Sequence, residues 1–157
     1  MIELDKLDKL DKAILQQLQT DATLPLKALA ESVQSTVATC QRRIARMQES
    51  GIILRQVAIL NTQAIGLSLS AYVQVKMEKQ SAKHLQAFEK AMQNEPYVLT
   101  CQEISGDADF LLIVHSRDMN DYHQFTRRVL TSEHNVRSFK SQFVINTVKA
   151  ETLISFE

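Results

Sequence analysis

The sequence has few of the residues that break or cross-link a chain. Its 157 residues include three glycines, two prolines and two cysteines. Cys40 and Cys101 lie far apart and lack the paired spacing of a zinc site, which favours a reducing cytoplasm. A chain of this length buries about two thirds of its unfolded surface, so one large or two small domains can fold without a disulfide or a metal.

An excess of either charge is also missing. Eighteen Lys and Arg residues balance eighteen Asp and Glu residues, which excludes nucleic-acid binding by bulk charge and an acidic disordered tail. No run of about 18 apolar residues predicts a membrane span, and the first twelve residues lack an apolar signal core. We find no Gly-rich phosphate loop, no Ser-His-Asp set and no metal-ligand cluster, so no cofactor or metal is expected.

The first third of the sequence has the apolar spacing of three short helices. Asp8 is a candidate N-cap for the first helix, the second begins near Pro25, and Thr36 can cap the third. Gly51 is placed to end the third helix as a C′ glycine. The triplet Leu-Asp-Lys, repeated three times from Leu4, is interpreted as a solvated helix entry. Three short helices joined by tight turns are typical of a helix-turn-helix.

The third predicted helix has one apolar and one basic side. A projection at 100° per residue groups Val37, Cys40, Ile44 and Met47 on the apolar side. The sequence from Thr39 to Arg55 contains four arginines, one acid and no lysine. Small residues let a helix enter the major groove, and guanidinium groups then reach base edges or phosphates.

A basic helix face could simply be solvated, but its setting favours DNA binding. Two helices precede it, and a wing-like strand is predicted over Ile52 to Leu60. Thr39 and Arg42 are expected to meet base edges, whereas Arg43 and Arg46 mainly meet phosphates. The whole predicted DNA-binding set is Ser35, Thr36, Ala38, Thr39, Arg42, Arg43 and Arg46.

The remainder of the chain predicts two strand-helix-strand halves joined by a hairpin. Such an order is typical of a ferredoxin-like α+β sandwich, with both helices on one face of an antiparallel sheet. A second copy of the chain is the simplest cover for the other face. Residues 1–60 are therefore predicted to form a winged helix-turn-helix, with a linker strand to about residue 67, and residues 68–157 the second domain. The predicted segments are Leu69 to Lys76, Ala82 to Asn94, Val98 to Ile104, Phe110 to His115, a helix capped by Asp118, and Ser138 to Val148.

The turn from Ser105 to Asp109 is a candidate ligand site. Gly106 permits a positive φ, and backbone amides in such a turn can hold a carboxylate. Asp107 or Asp109 could then pair with an ammonium group, a combination that suits a free amino acid. A plain polar hairpin explains the same residues and is favoured on the sequence alone.

Several segments together resemble the Lrp/AsnC family of transcriptional regulators. The similar segments are Leu7 to Asp11, Ile14 to Asp21, Cys40 to Ile53, Ile104 to Leu112, and the closing Phe143 to Ile145 with Val148 and Lys149. The resemblance covers nearly the whole chain. Two departures are Gln34-Ser35-Thr36, where the family often has Gly-Leu-Ser, and Ala108, where an aromatic residue is common.

The resemblance implies a cytoplasmic regulator of amino-acid metabolism or transport that binds double-stranded DNA. Family members dimerise through the sheet, assemble to tetramers or octamers, and bind small effectors, usually amino acids, between subunits. Carried over, Gly106, Asp107 and Asp109 would line that effector site. Ser141 would face it from the last strand, from the same or another subunit.

Two other functions stay open. Haem-biosynthesis decarboxylases resemble this family, and His115 or His123 could serve a tetrapyrrole pocket. A stand-alone effector-domain partner without DNA contact is a third reading. The retained arginine face favours a DNA-binding regulator that is not an enzyme.

Overall fold

A computed structural model describes residues 7–156. Its contacts divide the chain into two units, the second of which is Leu60–Val148. The first unit runs to Ile59 and takes up the chain again from Lys149. The residues after position 148, which the sequence prediction groups with the second domain, therefore make their contacts in the first unit.

The first unit contains the three predicted helices. They are α1 (Lys9–Thr20), α2 (Leu26–Ser32) and α3 (Val37–Glu49). Asp8 caps α1 by accepting a 2.8 Å hydrogen bond from the backbone N–H of Asp11. Thr36 caps α3 by accepting from the N–H of Thr39 at 3.2 Å, and Gly51 follows its end with φ of 75°. These caps and the helix-ending glycine are confirmed because side-chain and φ requirements are local.

Apolar residues from all three helices form the core of the first unit. Cys40 and Met47 of α3 are fully buried, as their spacing predicts. Val37 is exposed, which corrects its assignment to the apolar side. It lies in the first turn of α3, beyond the reach of the core. The buried core residues are Leu7, Ile14, Leu15, Leu29, Ala30, Cys40 and Met47.

The C-terminal residues also make contacts in this unit. The side-chain amide of Gln19 on α1 accepts from the N–H of Ile154 at 2.7 Å and donates to its carbonyl at 3.1 Å. Phe156 packs against the same apolar core. The chain is thus joined to its own first helix by its last residues.

The strand predicted over Ile52 to Leu60 is wrong for the single chain. Within the described residues this segment forms no strand. Ile52 and Ile53 pack against the core of the first unit, whereas the later apolar side chains face outward, Leu54 being 88% exposed. Apolar, β-branched sequence favours an extended backbone, but a strand also needs a hydrogen-bonding neighbour. Among residues 7–156 no strand pairs with it.

The second unit has the predicted ferredoxin-like order, which confirms the α+β fold. Its elements are β1 (Leu69–Met77), α4 (Ala82–Gln93), β2 (Val98–Glu103), β3 (Phe110–Ser116), α5 (Met119–Val129) and β4 (Val136–Phe143). The four strands form one antiparallel sheet in the order β2-β3-β1-β4. The outer position of β4 corresponds to the last strand of the predicted second half.

The two faces of this sheet differ. Alternate residues of β1, such as Val73 and Val75, are buried in one core with Phe88 of α4 and Phe125 of α5. The other face, which we name the open face, carries Tyr72, Gln74 and the residues that pair with these two. Within the described chain no helix covers it. No helix in residues 7–156 is long and apolar enough to cross a membrane.

Candidate nucleic-acid interface and effector site

The turn between α2 and α3 has a strained residue where the resemblance would expect glycine. Gln34 has φ of 52°, a left-handed conformation that glycine adopts without strain and other residues seldom do. The N–H of Ser35 nevertheless donates to the carbonyl of Ala30 at 2.8 Å. The tight turn is therefore kept without glycine.

The start of α3 presents a small, polar surface. Thr36 and Ala38 are exposed, while Ser35 and Thr39 are partly buried. The Thr36 hydroxyl donates to that of Thr39 at 2.9 Å, which leaves the Thr39 hydroxyl free to donate outward. Arg42 follows one turn later, is exposed, and makes no ion pair with any residue of the described chain. This surface has the size and donors that a major-groove reader needs.

The other two arginines of α3 have partners in the protein. Arg43 places Nη1 2.6 Å from Asp8 Oδ2 and 3.2 Å from Asp11 Oδ1. Arg46 places Nη2 2.6 Å from Asp11 Oδ2. The interpretation of these two arginines as phosphate ligands stays a prediction, and the structure gives both of them carboxylate partners in α1 and its cap.

Asp11 is a functional candidate that sequence reasoning missed. The Leu-Asp-Lys repeat indicated a solvated helix entry, yet the Asp11 side chain is only 1% exposed. The sequence feature that could have identified it is its place as the third residue of a capped helix, where a carboxylate can accept a hydrogen bond from the N–H of the cap residue. Here the Asp8 N–H donates to Asp11 at 3.3 Å. The backbone N–H of Asp11 in turn lowers the pKa of Asp8, and the Arg43 guanidinium adds to this. Hydrogen bonding to Asp8 likewise raises the pKa of Arg43.

A second candidate site lies at the turn between β2 and β3. Gly106 has φ of 125°, as its predicted role requires. Asp107 is exposed and, with Ala108, lines a shallow depression of about 150 Å³ on the second unit. Lys76 and Lys140 are in the same lining. Sequence reasoning missed these two lysines, although Lys76 falls on the polar side of the alternation in β1.

Asp109 is held inside this turn. Its Oδ2 accepts from the N–H of Met77 at 2.7 Å and its Oδ1 from the side-chain amide of Gln80 at 2.7 Å. Each carboxylate oxygen therefore has a donor in the protein. The structure brings Asp109 next to Gly106 and Asp107, but its visible task is to fix the turn to the end of β1.

Ser141 does not join these residues within one chain. It pairs in register with buried Val73, on the helix-covered face of the sheet. Its hydroxyl is 2.5 Å from the Tyr122 hydroxyl of α5. The depression at Asp107 is lined instead by neighbours of opposite alternation, Gln74 and Lys140, which pair with each other on the open face.

The thiol and histidine candidates are separated from both sites. Burial, reinforced by Glu89, raises the pKa of Cys101 to about 11, so its thiol is protonated at neutral pH. His115 lies on the open face, where burial lowers its pKa, whereas His123 is exposed on α5, which covers the opposite face. The two histidines offered for a tetrapyrrole pocket are thus not brought together. Residues 7–156 contain no group of three metal-ligating side chains.

Comparison with known proteins covers both units. Residues 7–48 match the AsnC-type helix-turn-helix domain, and residues 70–154 match the Lrp/AsnC ligand binding domain. The chain is 51% identical to an uncharacterized HTH-type transcriptional regulator of Haemophilus influenzae, covering 93% of this chain and 87% of that protein. It is 34% identical to the DNA-binding transcriptional activator DecR of Escherichia coli, covering 96% and 99% respectively.

The fold of the chain is also similar to that of a solved transcriptional regulator. The crystal structure of a transcriptional regulator from Neisseria meningitidis in complex with L-methionine superposes with a TM-score of 0.90 at 31% identity, covering 95% of this chain and 96% of that one. Both domain types occur here in the same order, with the predicted helices and sheet. The chain belongs to the Lrp/AsnC family of transcriptional regulators.

Proposed function

We propose that this regulator reads operator DNA with the outward face of α3 and responds to a free amino acid held at the Gly106 turn. The observation that carries the DNA-reading half is the exposed guanidinium of Arg42 beside Thr39 and Ala38, which has no ion-pair partner within residues 7–156. An unpaired Arg can bond bidentately to the O6 and N7 atoms of guanine. Ser35 and Thr36, at the N-terminus of α3, are placed to meet a phosphate.

The DNA-reading proposal is tested on operator fragments selected from genomic DNA by the wild-type protein. Arg42→Gln should weaken binding to the selected fragment by about 1–3 kcal/mol, because a bidentate base contact is lost. Arg127→Gln is the matched control, since Arg127 is exposed on α5 and has no ion pair within the described residues. Fluorescence anisotropy titrations measure both. Equal affinities for the two variants would refute base reading by Arg42.

The depression at Asp107 has the charges that an α-amino acid requires. The exposed carboxylate of Asp107 suits an ammonium group, and the ammonium groups of Lys76 and Lys140 suit a carboxylate. Gly106 allows the ligand to approach the backbone closely. The relative from Neisseria meningitidis binds L-methionine, which supports a free amino acid as the ligand class here and makes L-methionine the first probe.

Effector binding is tested by a thermal-shift screen of the free amino acids, starting with L-methionine. A ligand that binds only the folded protein raises its melting temperature by mass action. Asp107→Asn should abolish the shift, whereas Asp21→Asn, an exposed acid on the first unit, should retain it. No shift with any amino acid would refute the sensor half of the proposal.

A second copy of the chain is the proposed cover for two apolar surfaces. One is the open face, with Tyr72 at its centre, and the other is the exposed segment that contains Leu54 and Ile59. Tyr72 is 42% exposed on the open face, and Leu54 and Ile59 are 88% and 79% exposed, so a monomer would leave these apolar side chains in water. A two-fold dimer would set two α3 helices at half-sites roughly 34 Å apart.

Light scattering tests this assembly. The wild type should have the mass of a dimer, tetramer or octamer. Tyr72→Glu should reduce that mass. Met119→Glu, at an exposed position in the first turn of α5, should not. A monomeric wild type at micromolar concentration would contradict the proposal.

The alternative functions have less support. For a tetrapyrrole enzyme the sequence offers His115 or His123, and because they lie on opposite sides of the sheet layer one pocket would contain at most one of them. A partner protein without DNA contact would not need an exposed Arg42. A regulator of chromosomal genes acts where the DNA is, and we expect this one in the cytoplasm.

A further inference from the structure

One buried carboxylate joins two helices of the DNA-reading unit. Asp11, in the first turn of α1, accepts hydrogen bonds from Arg43 Nη1 at 3.2 Å to each oxygen and from Arg46 Nη2 at 2.6 Å. The Asp11 side chain is almost completely removed from solvent, whereas Arg46 is 50% exposed. The guanidinium groups therefore reach inward to the carboxylate from the outer side of α3.

The two arginines that hold Asp11 are three residues apart on α3. Residues with this spacing are neighbours on one helix face. Two side chains from one face that meet a single fixed point on α1 restrict rotation of α3 about its own axis. Arg42 is 100° from Arg43 and about 140° from buried Met47 on the same projection. Fixing the rotation of α3 at Arg43 therefore also fixes the direction in which the Arg42 side chain leaves the helix.

The same contacts remove net charge from this part of α3. Asp8 and Asp11 together carry two negative charges against the two positive charges of Arg43 and Arg46. Arg42 is the only arginine of α3 without a carboxylate partner in the described chain. With exposed Glu49 at the end of α3 counted as well, the net charge of α3 and these two carboxylates is close to zero, and Arg42 carries its one unpartnered guanidinium within the described residues.

Stability alone is a weak reason for this arrangement. An ion pair with a buried charge gains little over apolar packing of the same volume, because the buried group, here the Asp11 carboxylate, loses its hydration. Directional hydrogen bonds from two guanidinium groups give an orientation that apolar contacts do not. Core residues of the first unit, such as Met47 and Ile14, already supply the apolar packing between the helices.

We propose that Asp11 is a positioning residue for DNA reading, with Arg43 and Arg46 acting as its struts and not as phosphate ligands. This inference rests on the proposed DNA-reading function. It assigns the specificity of α3 to the geometry that Asp11 imposes on Arg42. By neutralising positive charge on α3, the Asp8 and Asp11 carboxylates also lower its affinity for unrelated DNA.

Asp11→Asn tests the positioning role, because it keeps the shape of the side chain and removes its charge. We expect affinity for the selected operator fragment to fall at least tenfold, while affinity for a random-sequence duplex stays equal or rises. The ratio of the two affinities is the readout. Asp21→Asn removes an acid from the same unit outside this cluster and should change the ratio less than twofold. Equal losses on both duplexes would mean that Asp11 serves folding only and would overturn the proposal.

Arg46→Gln keeps the test valid if Asp11→Asn does not fold. The slope of log affinity for random duplex against log salt concentration falls by about one unit for each lost phosphate contact. Arg42→Gln should lower that slope if Arg42 also meets phosphate, and Arg46→Gln should leave it unchanged while lowering the operator-to-random ratio. A slope reduced by about one unit in Arg46→Gln would identify a phosphate ligand and overturn the proposal.

The wild-type measurement distinguishes failure of this inference from failure of the proposed DNA-reading function. Wild-type protein that binds neither duplex at low salt would refute DNA reading itself, and with it the role of Asp11. Wild-type protein that prefers its operator, together with an unchanged ratio in Asp11→Asn, would refute only the positioning role.

Discussion

The two units of this regulator hold their elements together by different means. In the first unit, short helices with a small apolar core are joined by a carboxylate and two arginines more than thirty residues away along the chain. In the second, a four-stranded sheet and two helices share a continuous core in which the Phe88 and Phe110 ring centroids are 4.9 Å apart. A sheet supplies a broad apolar surface, whereas three short helices supply little, so polar contacts have more to do in the first unit.

Buried acids illustrate the same difference. Asp121 of the second unit takes hydrogen bonds from Tyr97 at 2.7 Å and from the backbone and side chain of Arg117, four residues before it. These contacts strongly lower the pKa of Asp121. Because the main partner is a near neighbour in sequence, the cluster secures the entry to α5. The distant partners of Asp11 instead set how one helix lies on another.

Phe110→Ala should have the largest effect and would show how far the second unit depends on its apolar core. Loss of a fully buried aromatic ring costs about 3–5 kcal/mol of unfolding free energy. Urea unfolding followed by amide hydrogen exchange should show lost protection in β1 and β3, with α1 protected as before. Equal loss of protection in α1 would mean that the two units unfold as one.

Glu95→Gln should have the next largest effect and probes a buried charge in the second unit. The Glu95 carboxylate, which is buried, accepts from Arg128 at 2.6 and 2.9 Å. Arg128 itself is 57% exposed, and this exposure limits the expected loss to about 2 kcal/mol of unfolding free energy at neutral pH.

The same pair predicts a pH dependence. Hydrogen bonds from Arg128, and then the backbone N–H of Tyr97, lower the pKa of Glu95 below its ordinary value of 4.5. A lowered folded-state pKa gives stability that is complete above the unfolded value and disappears as the pH falls through the folded value. The difference between wild type and Glu95→Gln in urea should therefore be full at pH 7 and smaller at pH 3. A difference that grows on acidification would contradict this sign.

Gln19→Ala should have a smaller effect, confined to the first unit. It removes two hydrogen bonds to the backbone of Ile154, which is exposed, at a cost of about 1 kcal/mol. Hydrogen exchange should then quicken at the Ile154 amide. Gln16→Ala is the control, because Gln16 is exposed on the same helix and only its backbone is hydrogen-bonded. Unchanged exchange at Ile154 would show that the Gln19 hydrogen bonds do not hold this segment in place.

The thiols give the smallest expected effect and compare the units without a mutation. Cys40 is buried in the first core, and the pKa of Cys101 is raised to about 11. Alkylation by iodoacetamide at pH 7.5 should therefore be slower than that of a free thiol by about two orders of magnitude at Cys101. Mass spectrometry should find both sites modified only after urea is added. Rapid modification of Cys101 in the folded protein would contradict its burial.

Local features of both units could be predicted because they depend on neighbouring residues. The caps at Asp8 and Thr36, the glycine at position 51 and the alternation along β1 each follow from a side chain, a φ angle or a two-residue period. The Gly106 turn is of the same kind. Gln34 has the positive φ that a glycine would adopt at this turn without strain.

Features that need a distant partner could not be predicted in this way. A helical projection of α3 contains no α1, so it predicts phosphate contacts for Arg43 and Arg46 without revealing their carboxylate partners Asp8 and Asp11. The apolar run after Ile52 predicted a strand because extended preference is local, although pairing is not. Ser141 is predicted to face the effector turn from the same or another subunit, and within one chain its register with Val73 turns it toward Tyr122.

By itself, the sequence determined the order of helices and strands, the family and the exposed Arg42 surface, because helical and strand periods, caps and motif spacing are written in consecutive residues. Only folding shows that Arg43 and Arg46 pair with carboxylates, which face Ser141 occupies, and that Ile154 returns to α1. Ion pairs and backbone contacts over such distances form only where folding brings their atoms within hydrogen-bonding range, and no local period encodes that distance.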